Sequence, residues 1–380
     1  MVGGMTTSPF SREFESSDHG ESPSALPLSE HLSDPGELIA AIPALLGFRP
    51  ADSIVAMCLM DTTPKTLGPI MRHDYFPNIG SELAPAMHAA LAQFVRVCAV
   101  EGTVAVILVM VGDHPLGELF DIAGEFNDML VDEGISLIDV LCIAEIEPGR
   151  EWMSVFAPDR YGRLPDPAAS SVAAAQVFGG RVIRGSREEL VLAVRGESRN
   201  QALIGWSIDG GRASLASARC DAHCSNDPFS QVRREVEAVL FHVENVERGM
   251  YPDTYECAQL ALMLSDVRVR DALMGLAATE YASAAEALWS MLTHELPVPE
   301  CAWAASILGF FAYARGDGPL AGVALAYALE ADPEHTLAGL LDKSLQAGVR
   351  PDGIRELATV GLTLARELGV ARMPEMRRMN

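Results

Sequence analysis

The sequence predicts an α/β layer, with a mixed, mainly parallel sheet and flanking helices, followed by an all-α helical region with one tetratricopeptide-like helical hairpin. Three observations predict it. Uninterrupted apolar runs of strand length, residues 54–60 and 103–111, carry no polar alternation and so need cover on both faces. An amphipathic stretch at 116–130 separates the second run from a third at 137–144, the spacing of a strand–helix–strand crossover. Beyond residue 227 the apolar periodicity is helical with only short breaks.

A chain of 380 residues exceeds the usual size of one core, so two domains are expected. The divisions read as a disordered acidic arm at 1–31, an α/β domain at 32–195, an irregular connecting segment at 196–227, a helical domain at 228–368 and a tail at 369–380. The arm is rich in Ser, Pro and Glu and lacks the basic start and apolar core of a secretory signal.

In the α/β part, Asp34 stands as a helix cap with Pro35 at the first helical position, and Gly47 is a stop. Phe48, Arg49, Pro50, Ala51 and Asp52 then turn the chain into the first strand. LGPIMRHDYF alternates Met71, His73 and Tyr75 against Arg72 and Asp74, which predicts an antiparallel partner. Leu83, Met87, Leu91, Phe94 and Cys98 make one face of a helix over 81–100, and Leu119, Ile122, Phe126 and Leu130 make one face of the next. A further strand fits 152–156. A loop follows at 158–167, a short helix at 168–178, then a brief strand leading into a helix where Ser186 and Glu189 have capping-box spacing. From about 194 to 227 the chain is rich in Gly, Ser and Ala with weak periodicity.

The helical half opens at Pro228 with a stripe of Val232, Val236, Val239, Leu240 and Val243. Helices follow at 254–265, 267–278, 281–293, 300–315, 319–330, 333–347 and 352–368. Met274, Trp289 and Met291 read as core rather than cofactor contacts. Gly309, Gly316, Ala321, Leu325, Ala328 and Pro333 have the spacing of a tetratricopeptide unit, whose small residues let two helices approach closely. No second copy follows at that period, so a hairpin inside a compact bundle is preferred to a free-standing peptide groove.

The 52 acidic and 28 basic residues leave a formal charge of −24. Such a field repels phosphate backbones, so no nucleic-acid partner is expected. The local exceptions, Arg181, Arg184 and Arg187 in the middle and Arg372, Arg377 and Arg378 at the end, read as solvated or ion-paired. No apolar run approaches the roughly 20 residues that span a bilayer, so no membrane partner is expected. Seven Cys without a short-range framework, several inside apolar runs, suit reduced thiols in a cytoplasm.

Chemistry is sparsely marked. There is no GxGxxG after a strand, no phosphate-binding loop, no GxSxG and no HExxH, and no cofactor is expected. Ligands of an α/β sheet lie beyond the carboxyl ends of its parallel strands, where this chain would place Asp61, Asp113, His114, Glu145 and Glu147. His114 could act there as a base or metal ligand; the simpler reading is that Asp113 or His114 caps the helix starting at Pro115. Arg49, Asp52 and Ser53 of the connector form a second candidate group, against a loop-fixing ion pair and a turn hydroxyl as simpler roles. Cys220, His223 and Cys224 offer thiolate and imidazole at close spacing, but structural zinc takes four ligands and no second pair is visible, so no metal is expected.

IPALLGFRPADSIV, the region from Trp152 to SREEL, and VRDALM together with AYARGDGPLAGVALAYALEADPEHTLAGLL resemble the actinobacterial family DUF4192, a domain of unknown function. The likeness covers most of 32–348. It implies a bacterial cytoplasm and supplies no activity, substrate or catalytic residue. Where many relatives carry adjacent Cys and Pro after the Trp152 region, this chain has PDRYGRLP, so no thiol or metal role is expected of that loop. Two functions follow as expectations: a protein-binding or regulatory module presenting a groove shared by its two layers, or a small-molecule enzyme using Arg49, Asp52 and Ser53, or Asp113 and His114.

Overall fold

The computed structural model describes residues 26–27, 34–61, 66–80, 82–178, 182–196 and 198–377. The arm expected at 1–31 lies outside them except for Leu26–Pro27, a two-residue strand (β1). Pro35–Leu46 forms α1, whose cap is Asp34, with Oδ1 accepting from Gly36 N at 2.7 Å, and whose end is Gly47 in the left-handed region. Ser53–Met60 is β2, Thr66–Asp74 β3, Pro85–Glu101 α2, Thr103–Val111 β4, Leu116–Asp132 α3, Ser136–Ile143 β5, Glu151–Ser154 β6 and Tyr161–Arg163 β7. Two short helices, α4 (Ser171–Phe178) and α5 (Arg187–Val194), lead to the helical half.

Among the described residues the strands form one sheet in the order β1-β3-β2-β4-β5-β6-β7. Only β4 and β5 pair in parallel; every other neighbouring pair is antiparallel. The sheet is therefore mixed but mostly antiparallel, which corrects the expectation of a mainly parallel one. Chain path is the cause. The crossover through α3 does place β5 parallel beside β4, whereas the one through α2 carries the chain from β3 past β2, leaving β2 antiparallel between β3 and β4. Apolar continuity reports cover on both faces, and a central antiparallel strand with two covered faces is as apolar as a parallel one.

That cover is explicit in the strand period. Ile54, Ala56 and Cys58 of β2 and Val106, Leu108 and Met110 of β4 face a core closed by α2 and α3. Val55, Met57 and Leu59, with Ala105, Ile107 and Val109, face the opposite way into a core shared with α1. The second core continues through Leu190 and Val194 of α5 into the helical half. Each fully buried Ile, Leu or Met here contributes roughly 1.5–3 kcal/mol of transfer free energy.

The connecting segment expected to be irregular at 196–227 is mostly a helix, α6 (Gln201–His223). Its periodicity is faint because it buries little: Ile204 and Ile208 point inward while the exposed side carries Ala202, Leu203, Trp206, Gly210, Ala213 and Ser217. Polar contacts then hold it. Arg219 donates from Nη2 to Glu235 Oε2 at 2.6 Å and from Nε to Oε1 at 3.1 Å, and Glu235 is almost wholly buried.

The remaining helices are α7 (Ser230–Glu247), α8 (Thr254–Leu264), α9 (Val267–Met274), α10 (Ala282–Glu295), α11 (Cys301–Ala314), α12 (Gly318–Ala331), α13 (Thr336–Gln346) and α14 (Pro351–Glu367). Asp253 caps α8 in a reciprocal capping box with Glu256. The α11–α12 pair is a helical hairpin in which Gly309 admits the Leu325 side chain; a Cβ there would stand 2.7 Å from Leu325 Cδ2. Nearly every residue of α11 is buried, so this helix is the axis of the bundle.

Candidate functional site

The strand directions decide which candidates meet. Because β2 runs against β4, the start of β2 and the end of β4 share one edge, and the parallel β5 ends there too. Asp52, Ser53, Asp113, His114, Glu145 and Glu147 are thus brought to the same end of the sheet. Asp61, at the far end of β2, falls on the opposite edge, so its expected place beside Asp113 does not hold.

The connector is held from two sides. Arg184 N donates to Gly47 O at 2.8 Å and Arg49 N donates to Arg184 O at 3.1 Å, while Tyr75 N donates to Asp52 O at 2.8 Å. Asp52 takes φ 41, the only non-glycine among the described residues with positive φ, a conformation that Asp tolerates better than most residues. Ser53 is buried. Its hydroxyl donates to Ala51 O at 2.5 Å and accepts from Arg72 Nε at 2.8 Å. Arg72 also pairs with Asp74 at 2.5 Å and lies over the Phe48 ring, 5.9 Å from its centroid; burial pulls its pKa down from the usual guanidinium range.

His114 stacks on Tyr75 with ring centroids 3.6 Å apart, and its side chain is 9% exposed. Its Nε2 stands 3.3 Å from Val111 O and 4.0 Å from Asp52 Oδ1. Gly112 makes this approach possible at φ 139, since a Cβ there would meet the His114 ring and Asp52 Oδ1. Tyr75 donates its hydroxyl to Glu118 Oε2, which also accepts from Asn78 N at 3.2 Å. Those two donors hold the Glu118 carboxyl below the usual carboxylate range, while burial and then the Glu118 bond push the Tyr75 phenol up.

Arg49 points elsewhere, to Glu147 Oε1 at 3.1 Å, and both side chains are exposed. Asp113 is on the loop, and neither it nor His114 caps α3, whose cap position is Pro115. The group therefore contains a proton donor already committed to a backbone carbonyl, a stacked imidazole and a bound guanidinium. No nucleophile–base pair within hydrogen-bond reach joins them. What the arrangement does is lock the strand edge. Arg72, Tyr75 and Glu118 are the members that sequence reasoning missed: Arg72 and Tyr75 read as ordinary alternation, and nothing in the sequence links Glu118 to residue 75.

Among the described residues no group of three or more His, Cys, Asp or Glu is placed to hold a metal ion. No helix among them is long and apolar enough to cross a membrane. Two open concavities among the described residues lie in the helical half. One of about 440 Å³ is lined by Arg366, Val370, Met373 and Glu375. The other, about 340 Å³, lies where α6, α8 and α10 meet and is lined by Asn200, Tyr251, Asp253, Cys257, Met291 and Glu295. Burial and the nearby Glu295 charge push the Cys257 thiol up to about 12.

The fold defines a protein of mixed α/β sheet and helical bundle, in which one core runs from the sheet into the helices and a second lies between the sheet and α2–α3. The chain belongs to the family described as Domain of unknown function (DUF4192), which it matches over residues 35–352. No curated protein and no solved structure matches it.

Proposed function

We propose that this protein is a binding module that receives a positively charged segment of another protein on the outer face of α6 and the adjoining cleft. The observation that carries the reading is Trp206, whose indole is 80% exposed on α6 away from the buried Ile204 and Ile208, with Leu203 exposed beside it. A large aromatic left in water on a regular helix is a typical anchor for a partner side chain. The sign of the partner's charge comes from its surroundings. Asp253 and Glu295 line the cleft at the amino end of α6, Tyr251 is exposed at its rim, and the whole chain carries −24.

The core that runs from the sheet into the helical half supports placing the receiving face on the outside of the helical half rather than in a groove shared by the two layers. The likeness of the α11–α12 hairpin to a tetratricopeptide unit supplies packing rather than a groove, because α11 is enclosed. The enzyme reading at the strand ends is the weaker one, since Ser53 gives its proton to Ala51 O and Arg49 faces Glu147.

The test is a photo-crosslinking amino acid placed at position 206 in the native host, at native expression. The reading expects one discrete adduct whose crosslinked peptide is net basic, and a synthetic copy of that peptide that binds the purified protein at least about tenfold more weakly after Trp206→Ala. No adduct, a neutral or acidic peptide, or unchanged affinity in the variant overturns it.

A further inference from the structure

We infer that Cys58 of β2 and Cys98 of α2 are a peroxide-reactive dithiol, a modification site that closes to a disulfide and staples the helix to the sheet. The two sulfurs lie 3.5 Å apart, and both residues are fully buried in the core between the sheet and the α2–α3 layer. A disulfide needs its sulfurs at about 2.05 Å, an approach that side-chain rotation from van der Waals contact can supply. The other thiols are placed apart: Cys142 is half-buried on β5, Cys257 and Cys301 lie in the helical half, and Cys220 and Cys224 are exposed near the end of α6.

The pair is asymmetric. The two sulfurs share a hydrogen bond in which either thiol can donate, and that contact lowers the Cys98 pKa while, with burial, it raises that of Cys58. Thr103 Oγ1 is buried with no hydrogen-bond partner, and it lowers the pKa of both thiols. A thiolate at Cys98 would give that hydroxyl an acceptor. Cys98, in the last turn of α2, is the sulfur that fraying of that turn exposes first and so takes the attacking role, while Cys58, held inside β2, resolves.

The chemistry balances with hydrogen peroxide as oxidant. The Cys98 thiolate attacks one peroxide oxygen, the O–O bond breaks, and hydroxide leaves and takes up the proton that Cys98 lost on ionising, giving a sulfenic acid and one water. The Cys58 sulfur then attacks the Cys98 sulfur, the S–OH bond breaks, and the Cys58 proton departs with hydroxide as water. Two thiols lose two electrons and the peroxide becomes two waters.

The last turn of α2 ends at Glu101, three residues beyond Cys98, so opening of that turn would admit the oxidant to the buried pair. That turn is clamped from the helical half: Arg350 donates from Nε to Glu101 Oε2 at 2.7 Å and from Nη2 to Glu101 O at 3.0 Å. Gly348 packs against Val97, where a Cβ would stand 2.9 Å from Val97 Cγ1. Oxidation therefore reads out how firmly the helical half grips α2.

The experiment uses the full chain carrying Cys220→Ser and Cys224→Ser, which removes the exposed thiols that could pair with each other. Folded protein is treated with hydrogen peroxide, quenched, alkylated in denaturant and mapped by mass spectrometry, with circular dichroism confirming that it stays folded. The expected product links the Cys58 and Cys98 peptides at about 2 Da below their summed reduced mass and reverts with dithiothreitol. Arg350→Ala is expected to speed its formation at least about tenfold; Glu101→Gln serves if that variant does not fold. The inference is overturned if both cysteines remain alkylatable in parent and clamp variant alike, if Cys98 proceeds to a sulfinic acid without Cys58, if either pairs with Cys142, or if loosening the clamp leaves the rate unchanged.

Discussion

Arg350, at the start of α14, grips the last residue of α2, Glu101, through both its carboxylate and its carbonyl, joining positions 249 apart in the chain. The Glu101 side chain is nearly buried, whereas Arg350 is more than half exposed. The contact stabilises less through attraction across solvent than by satisfying a carboxylate that has left water.

Arg350→Ala should therefore lower stability by about 1–3 kcal/mol, because it leaves the buried Glu101 carboxylate unpaired. The double variant Arg350→Ala with Glu101→Ala should recover part of the loss. Urea denaturation checks it, and equal midpoints for single and double variants would show that the charge is not the cause.

The strand-edge lock makes a second prediction. Ser53→Ala removes the hydroxyl that bridges Arg72 Nε to Ala51 O and should cost about 1–3 kcal/mol. Gly112→Ala should cost more than about 2 kcal/mol, since φ 139 is strained for Ala and its Cβ would strike the His114 ring. A near-neutral result for either, read from the denaturant midpoint, would mean the loop is not locked as described.

Gly361 sits inside α14, where Gly→Ala ordinarily stabilises a helix by about 1 kcal/mol. Here the sign should reverse. A Cβ at Gly361 would lie 2.5 Å from Asp271 O and 2.6 Å from Gly275 N, backbone atoms that cannot rotate away. Gly361→Ala should destabilise by about 2 kcal/mol or more, measurable as a fall in melting temperature; a rise would refute the close crossing.

His335 caps α13 with Nδ1 accepting from Ala338 N at 3.3 Å, and its Nε2 faces Ser306 Oγ at 3.4 Å. Burial, and then the Arg270 charge, lower its pKa, so the folded protein favours the neutral ring, which alone can accept at Nδ1. The unfolded chain binds more protons between the folded value and the ordinary histidine value near about 6.5. The contribution is thus fully present above that ordinary value and is lost as pH falls through it toward the folded value. His335→Asn keeps a cap acceptor without titrating in this range, and should flatten the fall in stability between about pH 7.5 and 5. An unchanged slope would rule His335 out as a contributor.

Much of the architecture was legible. The α1 cap at Asp34 and its Gly47 stop, the two-face burial of β2 and β4, and the helical run after residue 228 all follow from local patterns, because burial selects side chains residue by residue. The 201–223 helix was not legible, since a helix held by Arg219, Glu235 and a few apolar contacts leaves a faint stripe. The candidate site was legible only in part. Asp52, Ser53, Asp113 and His114 do share one edge, but the partners that set their chemistry, Arg72, Tyr75 and Glu118, are joined to them by pairing register and loop path alone.

By itself, the chain of residues determined what is buried, where helices begin and stop, and the acidic field of the molecule, for these depend on hydration, capping and charge at each position. Strand direction, the meeting of the β2 start with the β4 end, and the contact of Cys58 with Cys98 were decided only in three dimensions. An apolar strand is satisfied by neighbours running either way, so its own side chains carry no record of which way they run.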